Sequence, residues 1–189
     1  MQIVGDAIDE GAHLRIVVFG GAASNAVLLF DRDLEVVGPN ASYVTAAKRR
    51  VSSQVRLLVT EALLRRKKVP GPKIAGSDPF GALRYGVIAA GAGQGRETRG
   101  ALWVLTDGAQ AWRRTNLVRL LRNQTPQEVI RRWLKPYITD ARGVAVHVHG
   151  LNQSNPPTID IRVATRVETT YRLFCRRLRA RSCDITGEV

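Results

Sequence analysis

Apolar residues fall along this chain in two rhythms: short, nearly unbroken runs, and stripes spaced at three and four. Leu14 to Phe19 (LRIVVF) and Ala26 to Phe30 (AVLLF) are runs of the first kind. The short turn Gly20–Asn25 between them predicts an antiparallel hairpin. The run from Ala101 to Thr106 (ALWVLT) has no polar alternation in its apolar part, the pattern of a central parallel strand buried on both faces. Trp103 inside it is expected in the core. Gly143 to His149 (GVAVHVH) reads as a further strand.

The stripes mark helices. Residues 1–10 place Ile3, Val4, Ala7 and Ile8 on one side, and Gly11 ends that turn. A long helix is expected from Ser42, its candidate cap, to Lys67, with Val44, Ala47, Val51, Val55, Leu58 and Ala62 on one face. Pro70-Gly71-Pro72 then breaks the chain. Asp78 is placed to cap a helix with Pro79 in its first turn and Phe80, Leu83, Val87 and Ile88 along it. Thr125-Pro-Gln-Glu128 is a capping-box start for a helix through Ile130, Trp133 and Leu134, ended or kinked at Pro136. A last helix over residues 164–181 buries Val167, Tyr171, Phe174 and Leu178.

Composition adds little to the fold and something to the partners. The chain has 189 residues, enough for one domain with a real core. Lys and Arg total 29 against 16 Asp and Glu, a formal net charge of +13. That balance favours contact with polyanions, nucleic acid among them, although the basic residues are scattered and no nucleic-acid motif accompanies them. The last helix carries Arg166, Arg172, Arg176, Arg177, Arg179 and Arg181, with Arg162 just ahead. No apolar run approaches the roughly 18 residues that span a bilayer, and no secretory signal is visible at Met1. Cys175 and Cys183, on one continuous helix, would lie about 12 Å apart, too far for a disulfide. A reduced, cytoplasmic protein is therefore expected.

Two polar turns carry the candidate chemistry. One is Gly76-Ser77-Asp78 before a helix; the other is Thr106-Asp107-Gly108 at the end of the strand at 101–106. In parallel sheets such turns border the ligand crevice, and hydroxyl and carboxylate oxygens suit a hard divalent ion. Elsewhere, Asp31 and Asp33 read as a solvated turn, and His13 as isolated. His147 and His149 share one strand face, yet with no third ligand in view they read as packed or edge residues. Gly91–Gly95 precedes a strand and lacks Gly-Lys-Ser/Thr, so it is no phosphate loop. No Ser–His–Asp order, acidic pair or Cys-x-x-Cys points to catalysis.

Taken in order, the hairpin LRIVVF/AVLLF, the turn Gly76-Ser77-Asp78 leading into Gly81-Ala82-Leu83, the Leu105-Thr-Asp-Gly108 turn, and the strand at 144–149 with a closing helix resemble a von Willebrand factor A-type domain. The resemblance covers nearly the whole chain. It implies an α/β fold: a doubly wound, mostly parallel sheet flanked by helices, with one antiparallel edge hairpin, as a single domain over 1–189. It also implies a non-enzymatic protein-interaction module with a metal-ion-dependent adhesion site. Asp107 matches the family's third-loop Asp, and Ser77 stands where the family has Thr. These two are the metal residues, with Thr106 and Asp78 supporting them. A protein partner would offer an acidic residue to the ion, and Trp112, Arg113 and Arg114 would contact that partner at the rim.

The family's first strand and its Asp-x-Ser-x-Ser loop have no counterpart here. The site is thus expected to be degenerate or incomplete, with magnesium weak or absent on this chain alone. Three explanations stand side by side: an N-terminally incomplete domain, a sheet that closes without that strand, or a strand donated by a partner. The alternative function is a basic, nucleic-acid-associated protein that binds through its arginine-rich helices.

Overall fold

The structure is a computed structural model that describes residues 13–18, 27–34, 38–68, 77–90, 100–106, 108, 111–112, 115–152 and 160–187, with Gly5 and Asp9. The expected helix face at Ile3, Val4, Ala7 and Ile8 lies outside the described residues. Its contacts divide into two compact units, Met1–Val18 with Ala26–Lys73, and Phe19–Asn25 with Ile74–Val189.

The first unit holds the expected antiparallel hairpin. Strands β1 (His13–Val18) and β2 (Val27–Asp33) pair from His13 opposite Asp33 to Val18 opposite Val27, with a shift between Ile16 and Val17. Helix α1 (Ala41–Lys68) begins where the Asn40 side chain accepts from the Tyr43 N–H at 2.9 Å. Asn40, and not Ser42, is therefore the cap, because its side-chain oxygen satisfies one of the helix's orphan N–H groups. Phe30, Leu34 and Val55 form a small core, joined by Leu14, Ile16, Val51 and Val59. The buried stripe thus runs Val51–Val55–Val59, while Leu57 and Leu58 are exposed.

The second unit is built on a three-stranded parallel sheet in the order β3 (Gly100–Leu105), β6 (Val144–His149), β7 (Ser182–Ile185). Helix α2 (Pro79–Ala89) starts at Asp78, whose carboxylate accepts from the Gly81 N–H at 3.0 Å, with proline in the first turn as expected. A two-residue ladder, β4 (Ala111–Trp112) with β5 (Thr115–Asn116), leads into α3 (Leu117–Asn123). Helix α4 (Pro126–Val129) opens on the expected capping box between Thr125 and Glu128. The chain then widens into a π turn at Ile130–Leu134 and tightens to a 3-10 turn at Lys135–Tyr137. Pro136 explains the irregularity, since it has no N–H to continue the helix ladder. Helix α5 (Ile161–Leu178) begins earlier than expected, capped by Asp160, and stops at Arg179 with φ 56°.

One face of the sheet meets these helices. Val104, Val144, Val146, Val148 and Ile185 join Phe80, Leu83, Leu121, Leu134, Val167 and Phe174 in a single buried cluster. Phe80 lies at its centre, stacked on Tyr171 at 4.6 Å and edge-on to Phe174 at 4.8 Å. Such pairs add roughly 0.5–1.5 kcal/mol to what burial alone contributes. Gly108 closes the turn after β3 with φ 77°, and a Cβ there would sit 2.7 Å from Leu151. Only glycine fits both conditions.

Two expectations are corrected. β3 is an edge strand, paired with β6 alone among the described residues, and it is not buried on both faces. Its alternate residues face outward, so Trp103 is 37% exposed and Leu105 58% exposed. The cysteines do not share one continuous helix either. The chain turns back at Arg179, β7 runs alongside β6, and Cys175 and Cys183 form a disulfide with a Cα–Cα distance of 6.2 Å. The helical spacing that would keep the thiols apart ends at Leu178. No helix among the described residues is long and apolar enough to cross a membrane.

Candidate functional site

The turns singled out in the sequence flank β3 and α2. Ser77 is half-buried in an isolated bridge just before the cap. The Asp78 carboxylate, 5% exposed, is held by the Gly81 N–H, so its clearest task is to start α2. Thr106 extends the ladder, donating its N–H to the His149 carbonyl at 3.0 Å, while its hydroxyl accepts from the Gly108 N–H at 3.1 Å. Asp107, Arg113 and Arg114 lie outside the described residues, as does the side chain of Trp112. Magnesium requires a near-octahedral set of oxygens. The described oxygens of Asp78 and Thr106 already serve a cap and a turn, so these residues do not by themselves fit that ion.

A second cluster emerges on the sheet face opposite the one that packs against the helices of the same unit. Side chains alternate along a strand, so Trp103, His147, His149 and Asp184 all project from that face. Register sets them side by side: Trp103 pairs with His147, His147 with Asp184, and Leu105 with His149. The Trp103 and His147 rings stack at 3.9 Å, with 9° between their planes. Trp103 also faces His149 at 5.3 Å.

The polar atoms of this cluster converge. His147 Nδ1 lies 3.8 Å and His149 Nε2 4.0 Å from the same oxygen, Asp184 Oδ2. Both separations exceed hydrogen-bond length. Both nitrogens are buried and without a hydrogen-bond partner, as is Asn152 Oδ1 elsewhere in the unit. A buried polar group left unmatched costs about 1–3 kcal/mol, which makes two in one cluster notable. Burial pushes the His147 pKa below its ordinary value, against the pull of the Asp184 charge.

The other nitrogen of His149 is engaged: Nδ1 lies 2.9 Å from Thr186 Oγ1. A hydroxyl beside an imidazole invites comparison with a nucleophile and its base. The third member fails, because Asp184 at 4.0 Å is too distant to orient the ring. What the three groups offer instead is a set of one-ligand-each donors, all within 4.8 Å of one another.

The two histidines were visible in the alternation of 144–149, but Asp184 was not. It lies on β7, a four-residue strand after the helix, with no apolar run to announce it. The basic face of α5 is also less open than its composition suggests. Arg166 donates to the Leu121 carbonyl at 2.7 Å, and Arg172 binds Glu168 at 2.6 Å and the Ile185 carbonyl at 3.1 Å. In the first unit His13 bridges Asp33 at 2.8 Å and Asp31 at 2.6 Å, and Arg15 also holds Asp31 at 2.7 Å. This exposed ion cluster staples the open end of the hairpin.

Comparison of the chain with family models, with curated proteins and with solved structures gave no match.

Proposed function

We propose that the chain is a non-enzymatic protein-interaction module of von Willebrand factor A-like, doubly wound architecture. The observation that carries this reading is the way its strands divide. A hairpin precedes a three-stranded parallel sheet whose terminal strand, β3, keeps an unpaired edge among the described residues. A mixed sheet of that family, with its first and central strand left out, gives these same two pieces. The polar residues Ser77 and Asp78 just before α2, and Thr106 just after β3, support the reading, which assigns them to the crevice.

On this reading the metal-ion-dependent site is degenerate. Ser77 and Asp107 remain as its members, with Thr106 and Asp78 in the adjoining turns. Its partner is a protein that presents an acidic side chain, met at the rim by Trp112, Arg113 and Arg114. Calorimetric titration with magnesium and manganese tests the ion. Weak binding that disappears in Asp107→Ala supports the site, and no heat from either ion removes it. Hydrogen exchange tests the architecture. Amides of β6, bonded on both sides, should exchange orders of magnitude more slowly than the outer edge of β3. Equal protection would mean that β3 has a second neighbour.

The nucleic-acid reading keeps one supporting observation. Arg176 and Arg177 lie exposed in the last turn of α5, on a chain of net charge +13. It requires binding that weakens steeply with salt. Absence of a gel shift at low ionic strength excludes it.

A further inference from the structure

We propose that His147, His149 and Asp184 form a binding site for a divalent transition-metal ion of the zinc class, on the sheet face opposite the helices of the second unit. The site is independent of the magnesium reading above, since it shares no residue with it.

Three features of the fold build it. The central strand supplies two imidazoles two residues apart, and β7 is registered so that Asp184 stands directly beside His147. The donor atoms then converge without any conformational search, with both nitrogens within 4.0 Å of one carboxylate oxygen. Trp103, stacked at 3.9 Å, holds the plane of the His147 ring. Thr186 holds His149 by its far nitrogen at 2.9 Å. When that nitrogen carries the proton and donates it to the hydroxyl, Nε2 presents its lone pair to the cluster. Ligand histidines in metal sites are commonly fixed in this way by a partner on the opposite nitrogen.

The donor set selects the ion. Two imidazoles and one carboxylate suit zinc, cobalt, nickel or copper, whereas magnesium and calcium prefer oxygen alone. Tetrahedral zinc, with bonds near 2.0–2.1 Å, places its donors about 3.4 Å apart. The two separations to the carboxylate, 3.8 and 4.0 Å, need to contract by about half an ångström, and the donor set as a whole, spread over 4.8 Å, must close by up to about 1.4 Å at its widest pair. Asp184, its side chain 54% exposed, can supply the approach of the carboxylate, and small rotations of the two imidazoles must supply the rest. The same exposure leaves the remaining coordination position to water.

A cation also accounts for the geometry of the cluster. His147 Nδ1 and His149 Nε2 are buried, lack hydrogen-bond partners and face the same carboxylate. A stacked aromatic row alone has no use for that convergence.

The test is calorimetric titration of the chain, stripped with chelator and with its disulfide intact, with zinc chloride. One equivalent is expected to bind. Asp184→Asn, a change at an exposed position, should weaken it more than tenfold. His147→Gln and His149→Gln should abolish stoichiometric binding, and His13→Gln, which removes the histidine of the hairpin ion cluster, should leave it unchanged. Cobalt bound at the same site should quench Trp103 fluorescence, a signal lost in Trp103→Phe. If the histidine variants do not fold, Asp184→Asn and the cobalt signal decide the matter. The proposal is overturned if the parent chain binds no equivalent of zinc, or if Asp184→Asn binds as tightly as the parent.

Discussion

Cys183 in β7 is bonded to Cys175 in α5, and the residue that follows Cys183 is Asp184. Alternation turns the bonded cysteine toward the helices and the carboxylate toward His147, so one covalent link fixes the strand that completes the histidine cluster. The bond closes a sequence separation of eight, for which loop-closure entropy gives about 2.5 kcal/mol. Reduction should therefore lower the melting temperature by roughly 5–10 °C in a chain of this size. It should also weaken zinc binding, since β7 loses its anchor. Scanning calorimetry with and without dithiothreitol checks the first effect. An unchanged melting point, with two free thiols verified, would contradict it.

The hairpin should respond to pH through His13. Hydrogen bonds that the His13 ring donates to Asp33, and then to Asp31, raise the pKa of His13 above 6.5. A raised value means that protonation favours the folded hairpin: the contribution is complete below about pH 6.5 and fades as pH rises through the folded value. Asp31 shifts downward, chiefly through Arg15 and then His13, so its contribution holds above about pH 4 and is lost in stronger acid. His13→Gln should therefore destabilise the hairpin at pH 5.5 and have little effect at pH 9. Both charges are exposed, so the difference should shrink with salt. Thermal melts at the two pH values decide this, and equal effects at both would remove the ion cluster as cause.

How much of this was legible beforehand follows from the length of each signal. The hairpin, α1, the Asp78 cap and the Thr125–Glu128 box were readable because each is a contiguous pattern. ALWVL lacks polar alternation, which is the signature of a doubly buried strand, but β3 does not follow it. Its alternation is instead between apolar residues that face the core, such as Val104, and apolar residues left outside, such as Trp103 and Leu105. β7 and its disulfide were missed for one reason: the basic run after Leu178 hides the break at Arg179, where φ turns positive. Without that turn Cys183 is a helix residue, and Asp184 has no relation to the two histidines.

Phe80 should be the most sensitive core position. It is fully buried at the start of α2 and contacts Tyr171, Phe174 and Tyr137, so it joins three helical segments around one ring. Phe80→Ala should cost about 3–5 kcal/mol, as large-to-small changes in tight cores do. Phe80→Leu should cost clearly less, because it preserves most of the volume. Urea denaturation of both variants provides the comparison. Equal and small losses would mean that the aromatic cluster is not the core of this unit.

Gly108 tests whether the turn after β3 is set by packing or by backbone alone. Alanine there meets two separate penalties. A φ of 77° is strained for any residue with a Cβ, and that Cβ would lie 2.7 Å from Leu151 and 3.1 Å from Val167. Strain of this kind costs on the order of 1–3 kcal/mol before the crowding is counted. Asparagine tolerates positive φ better than alanine but carries more bulk. If backbone strain dominates, Gly108→Asn should be the milder change; if crowding against Leu151 and Val167 dominates, it should be the worse. The short contacts favour the second order, so Gly108→Asn is expected to destabilise more than Gly108→Ala. Measured unfolding free energies in the reverse order would show that the turn can lift away from α5 without loss.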